Sequence, residues 1–286
     1  MQTGDIPART LNDLPSIAAV VLYLTSIVLS WRWASNTKSY LAQDSTQQVS
    51  FSARAMFSLI FAWLAHSIVA FDQCCANADV DLALNNMLSL IGWMTPLVFF
   101  VACLFRNTQS LAPIVSAMAL IGLISSWLFT ADPWPLSQIK PSVVSHILIA
   151  LPAFGLLCIG FGQAILILIQ ERLMRSPGKP SVFATLPSLQ TMDSNLFYLI
   201  GAGFVLLAIN FLLGVKANHE LTGNWLSFNH HVLLILVSTL GFGFLLLARR
   251  IYGWRGRPAA VATICCFIVL FLAYYGTRFV SQILID

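Results

Sequence analysis

The stretch from His219 to Pro258 constrains this chain more than any other. It reads HELTGNWLSFNHH, then VLLILVSTLGFGFLLLA, then RRIYGWRGRP. The uncharged run of 17 residues from Val232 to Ala248 has histidines at one end and four arginines (Arg249, Arg250, Arg255, Arg257) at the other. As a helix rising ~1.5 Å per residue, that run and its near flanks just cross a hydrocarbon core of about 30 Å. Arginines are retained on the cytoplasmic side of such a span. The histidines are therefore expected at the outer membrane face.

The rest of the chain has the same character. With 58% hydrophobic and 9% charged residues among 286, it cannot be a soluble domain. It reads as an all-α polytopic membrane protein, one transmembrane domain over residues 1–286, with eight spans. These are expected at about 15–34, 52–71, 83–105, 111–130, 143–170, 195–214, 229–249 and 259–282. The third and fourth, separated only by Arg106 to Ser110, form an antiparallel hairpin. No signal-peptide pattern opens the chain, so the first span is expected to stay. The longest inner loop, Glu171 to Asn195, carries Pro177, Gly178, Pro180 and Pro187 and is expected to be irregular. It parts five spans from three.

Charge orients the spans. With the N-terminus outside, the inner side holds Arg32, Lys38, Arg54, Arg106, Arg172, Arg175, Lys179, Arg249, Arg250, Arg255 and Arg257. The outer side holds Arg9, Lys140, Lys216 and Arg278, so the tally is eleven against four. Both termini are expected on the outer, periplasmic side of a bacterial inner membrane, together with Asp72, Asp79 and Asp81. The net charge of +4 is thus a matter of topology, not of nucleic-acid binding.

The six cysteines define no redox or metal motif: Cys74 and Cys75 are adjacent, and Cys103, Cys158, Cys265 and Cys266 lie in apolar runs. No P-loop, Rossmann glycine pattern or H-E-x-x-H occurs. The expected span interiors contain no carboxylate, which argues against a proton-coupled transporter. Gln163 and Asn210 are expected to make interhelical hydrogen bonds, and Gly160, Gly162, Gly201 and Gly203 to mark close helix packing.

All five histidines fall on the outer half. His66 lies about 9 Å below the outer boundary, counting ~1.5 Å for each of the six residues to Asp72. His146 opens the fifth span, His219 lies in the last outer loop, and His230 and His231 open the seventh span. Imidazole is the commonest metal ligand, haem iron included. His66, His146 and His230, from separate helix ends, are candidates for a shared site. Trp63 shares the helical face of His66, and Trp225 and Phe228 precede His230, where aromatic rings can cover a porphyrin plane. A lone interfacial histidine is more often a solvated group, and interfacial tryptophan more often a belt residue. His219 and His231 are read that way. Residue spacing goes no further than an outer histidine cluster.

Three segments carry a resemblance. GWRGRPAAVATICCFIVLFLAYYGTRFV resembles the C-terminal end of the cytochrome c assembly proteins, the CcsA/ResC/HemX group. LPSLQTMDSNLFYLIGAGFVLLAINFLLG with the later NHH and GWRG, and HILIALPAFGLLCIGFGQAILILIQERLMR, are similar to its YpjD/HemX-like branch. The resemblance implies haem handling at the outer face of the inner membrane, with haem b held non-covalently. It implies His66 as the intramembrane histidine of an early span, His146 as an outer histidine, and His230 as the histidine before span seven. His231 replaces a usual lysine. The departures from the family pattern are specific. NWLSFNHH stands where the synthases carry a tryptophan-rich WWD motif. Leu247 stands near their second intramembrane histidine, and the chain ends at Asp286 without a terminal one. The expectation is an accessory or regulatory haem-binding protein, not an enzyme that attaches haem. Its expected partners are the lipid bilayer, haem, and other cytochrome-assembly or haem-biosynthesis proteins. The alternatives are a scaffold that binds a partner protein without cofactor, and a small-molecule permease, for which Pro96 and Pro152 are thin support.

Overall fold

The computed structural model describes residues 14–41, 53–75, 80–128, 137, 139–175, 187–225 and 230–276. Arg9, Asp79, the segment with Pro177, Gly178, Pro180 and Lys179, Phe228, Arg278 and Asp286 lie outside them, as do the side chains of Lys38, Cys74 and Cys75. Among the described residues the regular structure is helical, because lipid offers the backbone no partners and a helix satisfies its own. The helices are α1 Leu14–Leu41, α2 Ala53–Cys75, α3 Leu84–Phe105, α4 Ala112–Leu128, α5 Pro141–Met174, α6 Leu189–Thr222, α7 His230–Tyr252 and α8 Arg257–Phe271. A π-helical turn, Leu272–Gly276, extends α8. All eight, with their short extensions, are long and apolar enough to cross a bilayer. Eight membrane-length helices stand where eight spans are expected; residues 277–282 of the last expected span, and the ends 52, 129–130 and 229, lie outside the described residues. The main difference is length: α5 and α6 each run for 34 residues, about 50 Å, and so overshoot the core.

Neighbouring helices pair antiparallel. The α3–α4 hairpin closes on glycines: a Cβ on Gly122 would lie 2.7 Å from the Gly92 Cα. Gly162 and Gly203 make similar room, for Ile114 and Leu157. Gly201 does not: nothing approaches within 4 Å of its would-be Cβ, so the expectation of close packing fails there. Along α5 and α6, Gln170 bonds to the Pro187 carbonyl at one end, Gln163 to that of Met192, and His146 to that of Asn210 near the other. α5 also touches α3, α4 and α8 and is the strut of the bundle; Phe154 and Phe161 pack on Phe267 of α8. Across α1, α2 and α4, Ser26 donates to the Ala55 carbonyl and accepts from Ser116.

This alternation gathers the arginine-rich connections at one end of the bundle and the histidines toward the other. At the arginine end, α6 begins six residues earlier than expected and brings a carboxylate into the bundle. Asp193 is buried and pairs with Arg249 of α7. Its other oxygen accepts the Gly256 N–H at 2.9 Å, and the Arg249 guanidinium lies 4.1 Å above the Phe197 ring. The α7–α8 turn can meet Asp193 because Gly253 and Gly256 hold positive φ, +66° and +61°. The G-W-R-G segment is thus fixed by one ion pair shared among three elements. Asp193→Ala should lower unfolding stability by about 2–3 kcal/mol, since it strands a largely buried guanidinium. Arg250→Ala, an exposed neighbour, should change it by less than about 0.5 kcal/mol. Thermal unfolding in detergent, followed by tryptophan fluorescence, compares the two; equal effects would refute the role of the pair.

Candidate functional site

His66 sits deep. It lies nine residues before the end of α2, about 14 Å along the axis, and its side chain is wholly buried. One ring nitrogen is 3.1 Å from the Tyr23 hydroxyl of α1, the other 3.1 Å from the Ser89 hydroxyl of α3. Neutral imidazole has one donor and one acceptor, and here both are engaged. Trp63 is stacked on Trp93 at 5.7 Å and donates to its carbonyl. Trp93 in turn donates to Ser67 at 2.7 Å. These contacts close α2 against α3 on the Trp63 side of His66.

His146 lies elsewhere, among α5, α6, α7 and the turn after α8. It shares a cavity of about 260 Å³ with His231, Trp225, Phe211, Gly214 and Ile235, among others. His146 Nδ1 donates to the Asn210 carbonyl at 3.0 Å. Gly214 permits this: a Cβ there would come 3.0 Å from the imidazole Cε1. His231 Nδ1 donates to the Ala273 carbonyl at 2.7 Å. That carbonyl belongs to the π-helical turn, whose wider winding offsets carbonyls from the α-helical ladder. Each bond to a carbonyl requires the proton on Nδ1, so the neutral ring carries its lone pair on Nε2. Tyr274 of the same turn lies edge-on to His231 at 6.4 Å and takes a hydrogen bond from the Asn210 amide. Asn210 Oδ1 is buried with no hydrogen-bond partner among the described residues. The residue whose carbonyl orients His146 therefore keeps one spare buried acceptor.

The remaining histidines flank this cavity. His230 is exposed and does not line it. His219 stacks on Trp225, rings 3.9 Å apart, and bonds to the Gly223 carbonyl. So His146 is joined by His231, read from the sequence as an ordinary interface residue, and not by His230 or His66. No group of three or more His, Cys, Asp or Glu that could hold a metal ion forms among the described residues. The donor set is two imidazoles on separate helices, which suits a metal that brings its own equatorial ligands. Gln163 and Asn210 make the interhelical hydrogen bonds expected of them.

Deleting the His66 ring should leave the buried Tyr23 and Ser89 hydroxyls unmatched. His66→Ala is expected to cost about 2–4 kcal/mol of stability, and Tyr23→Phe less, by thermal unfolding in detergent. A His66→Ala protein as stable as wild type would show that the three-helix contact is not made.

Comparison with known proteins gives a consistent answer. The profile of the cytochrome c assembly protein family matches residues 21–285. An uncharacterised 28.8 kDa protein of Azospirillum brasilense is 28% identical over 210 residues, which is 69% of this chain and 76% of that protein. Inner membrane protein YpjD of Escherichia coli K12 is 25% identical over 232 residues, 80% of this chain and 87% of that protein. Cytochrome c biogenesis protein CcsA of a Nostoc species is 28% identical over 117 residues, 38% of this chain and 33% of that protein.

Proposed function

The chain belongs to the cytochrome c assembly protein family and is a multi-pass protein of the bacterial inner membrane, and from that premise we propose that it binds haem non-covalently, as haem b, with His146 and His231 as the imidazole donors. The observation that carries this reading is their convergence. Two histidines from different helices line one cavity, and each ring is oriented by a backbone carbonyl through Nδ1. Second-shell bonds of this kind fix the ring and raise the basicity of Nε2 in ligating histidines. Haem would supply an iron centre that takes axial imidazole ligands.

The cavity's size argues for handling over storage. At about 260 Å³ it falls below the roughly 300–1,000 Å³ of pockets that enclose a drug-sized ligand. It has room for the edge of a flat macrocycle. Trp225, 62% exposed, offers an aromatic face at its rim. A partly enclosed ligand can be taken up and released. The segment around Trp225 has no second tryptophan, so it lacks the tryptophan-rich motif of the synthases. This supports an accessory role, without lyase activity. His66, with both nitrogens engaged, and His230, which does not line the cavity, are left out of the donor pair. We place the histidine end on the periplasmic side, on the strength of the arginines gathered at the opposite end.

Two measurements test this reading. Protein expressed with added haem precursor and purified in detergent should show a Soret band. His146→Ala and His231→Ala should each reduce it at least fivefold, while His230→Ala leaves it near the wild-type level. A colourless wild type, or a band indifferent to both cavity variants, would favour the cofactor-free scaffold. Alkaline phosphatase fused after Trp225 should be active and after Arg255 inactive; the reverse pattern would invert the topology.

A further inference from the structure

A second cavity, of about 500 Å³, opens between the α3–α4 hairpin and the α5–α8 pair. Its walls are Leu88 and Ile91 of α3, Ile121 of α4, Phe161 of α5, and Phe271 with Leu272 at the end of α8. Its rim faces outward from the bundle, because Ile121 is 66% and Leu272 49% exposed. Both belong to membrane-crossing segments, so the groove opens sideways into lipid. On α3 it extends from Leu84 to Thr95, eleven residues or about 16 Å. Leu84 begins α3 at the histidine end. One leaflet of a ~30 Å core is about 15 Å deep, so the groove reaches from the membrane surface on that side to the bilayer centre.

The few polar groups in its wall are already spent. The Thr95 hydroxyl donates to the Ile91 carbonyl at 2.8 Å, and the Ser125 hydroxyl to that of Ile121 at 2.7 Å. The Cys158 thiol points to the Met118 sulfur at 3.3 Å. Among the described wall residues no hydroxyl proton is left to recognise a carbonyl or a ring nitrogen. The occupant must therefore present bare hydrocarbon and keep its polar part outside. An apolar cavity of about 150 Å³ takes one benzene. By the same packing, this groove takes roughly twenty carbon atoms, the scale of one long acyl chain. We infer that the groove holds one acyl chain of a phospholipid from the leaflet at the histidine end, retained as a fixed part of the bundle.

Phe154 of the groove meets Tyr274 at 5.4 Å between ring centroids, and Tyr274 lies edge-on to His231; neither Ile121 nor Leu272 lines the histidine cavity. The test is native mass spectrometry of the full chain, purified from bacterial membranes in mild detergent. One phospholipid per chain is expected to survive extraction. Ile121→Trp, which fills the mouth, should lower the lipid-bound fraction at least tenfold; Leu272→Trp repeats this from the opposite wall should the first variant fail to fold. Leu212→Trp, on exposed α6 surface outside the groove, should leave it unchanged. Three results would overturn the inference: no retained lipid, a retained isoprenoid in its place, or equal loss in the groove and α6 variants, which would mark surface-bound lipid only.

Discussion

A hydrogen-bonding group inside a bilayer must find its partner within the protein, and that constraint runs through the whole bundle. It makes the spans helical, and it accounts for the buried polar side chains. Serine and threonine return their hydroxyls to helix carbonyls, as Thr239 does to Ile235 and Thr263 to Ala259. Longer side chains reach across: Gln163 to Met192, Asn195 to Asn107, Asp193 to Arg249. Each cross-helix bond contributes only about 0.6–2 kcal/mol, but each also fixes which face of a helix meets which neighbour. Apolar packing alone cannot do that in lipid, where every face is equally apolar.

The two ends of the bundle use this constraint differently. At the arginine end the polar contacts close on themselves. Asp193 is matched by a guanidinium and a backbone N–H, and Arg249 also reaches the Trp254 carbonyl. At the histidine end the contacts run to the edge of a cavity. His146 and His231 each use Nδ1 on a backbone carbonyl, and Asn210 retains a buried oxygen with no partner among the described residues. The polar network there borders a cavity instead of closing against another helix.

The architecture was legible in the hydropathy, down to the α3–α4 hairpin. The overshoot of α6 was not, because its first turn, SLQTMD, is polar. A signal was present all the same: Ser188 caps the helix by accepting the Thr191 N–H at 3.2 Å. Choosing between His230 and His231 required the rotation of α7. Its buried residues are Ile235, Ser238, Phe242, Leu245 and Ala248. Stepping back four from Ile235 arrives at His231. In a soluble helix that stripe would stand out against polar positions. In this run the lipid-facing residues are apolar too, and only Ser238 hints at it. The carbonyls of Asn210 and Ala273 carry no sequence signature at all. Gly214 does, but as a glycine in a span it reads as ordinary packing until the ring beside it is seen.

His66 and His146 show why histidine depth alone is a poor guide to role. Depth alone would favour His66, since ionisable groups in lipid are expensive and tend to be functional. Depth, however, raises the demand for partners on both nitrogens equally. In the dry contact of α1, α2 and α3 that demand is met on both sides by Tyr23 and Ser89, and such a ring works as a rivet. Nearer the surface, His146 is oriented on one side by a carbonyl, and the other edge meets a cavity. A ring held through Nδ1 alone has a fixed direction and an Nε2 available for chemistry, and a ligating imidazole needs both. The partner count of each ring, more than its distance from the membrane surface, separates the histidine that holds helices together from the one that can hold a ligand.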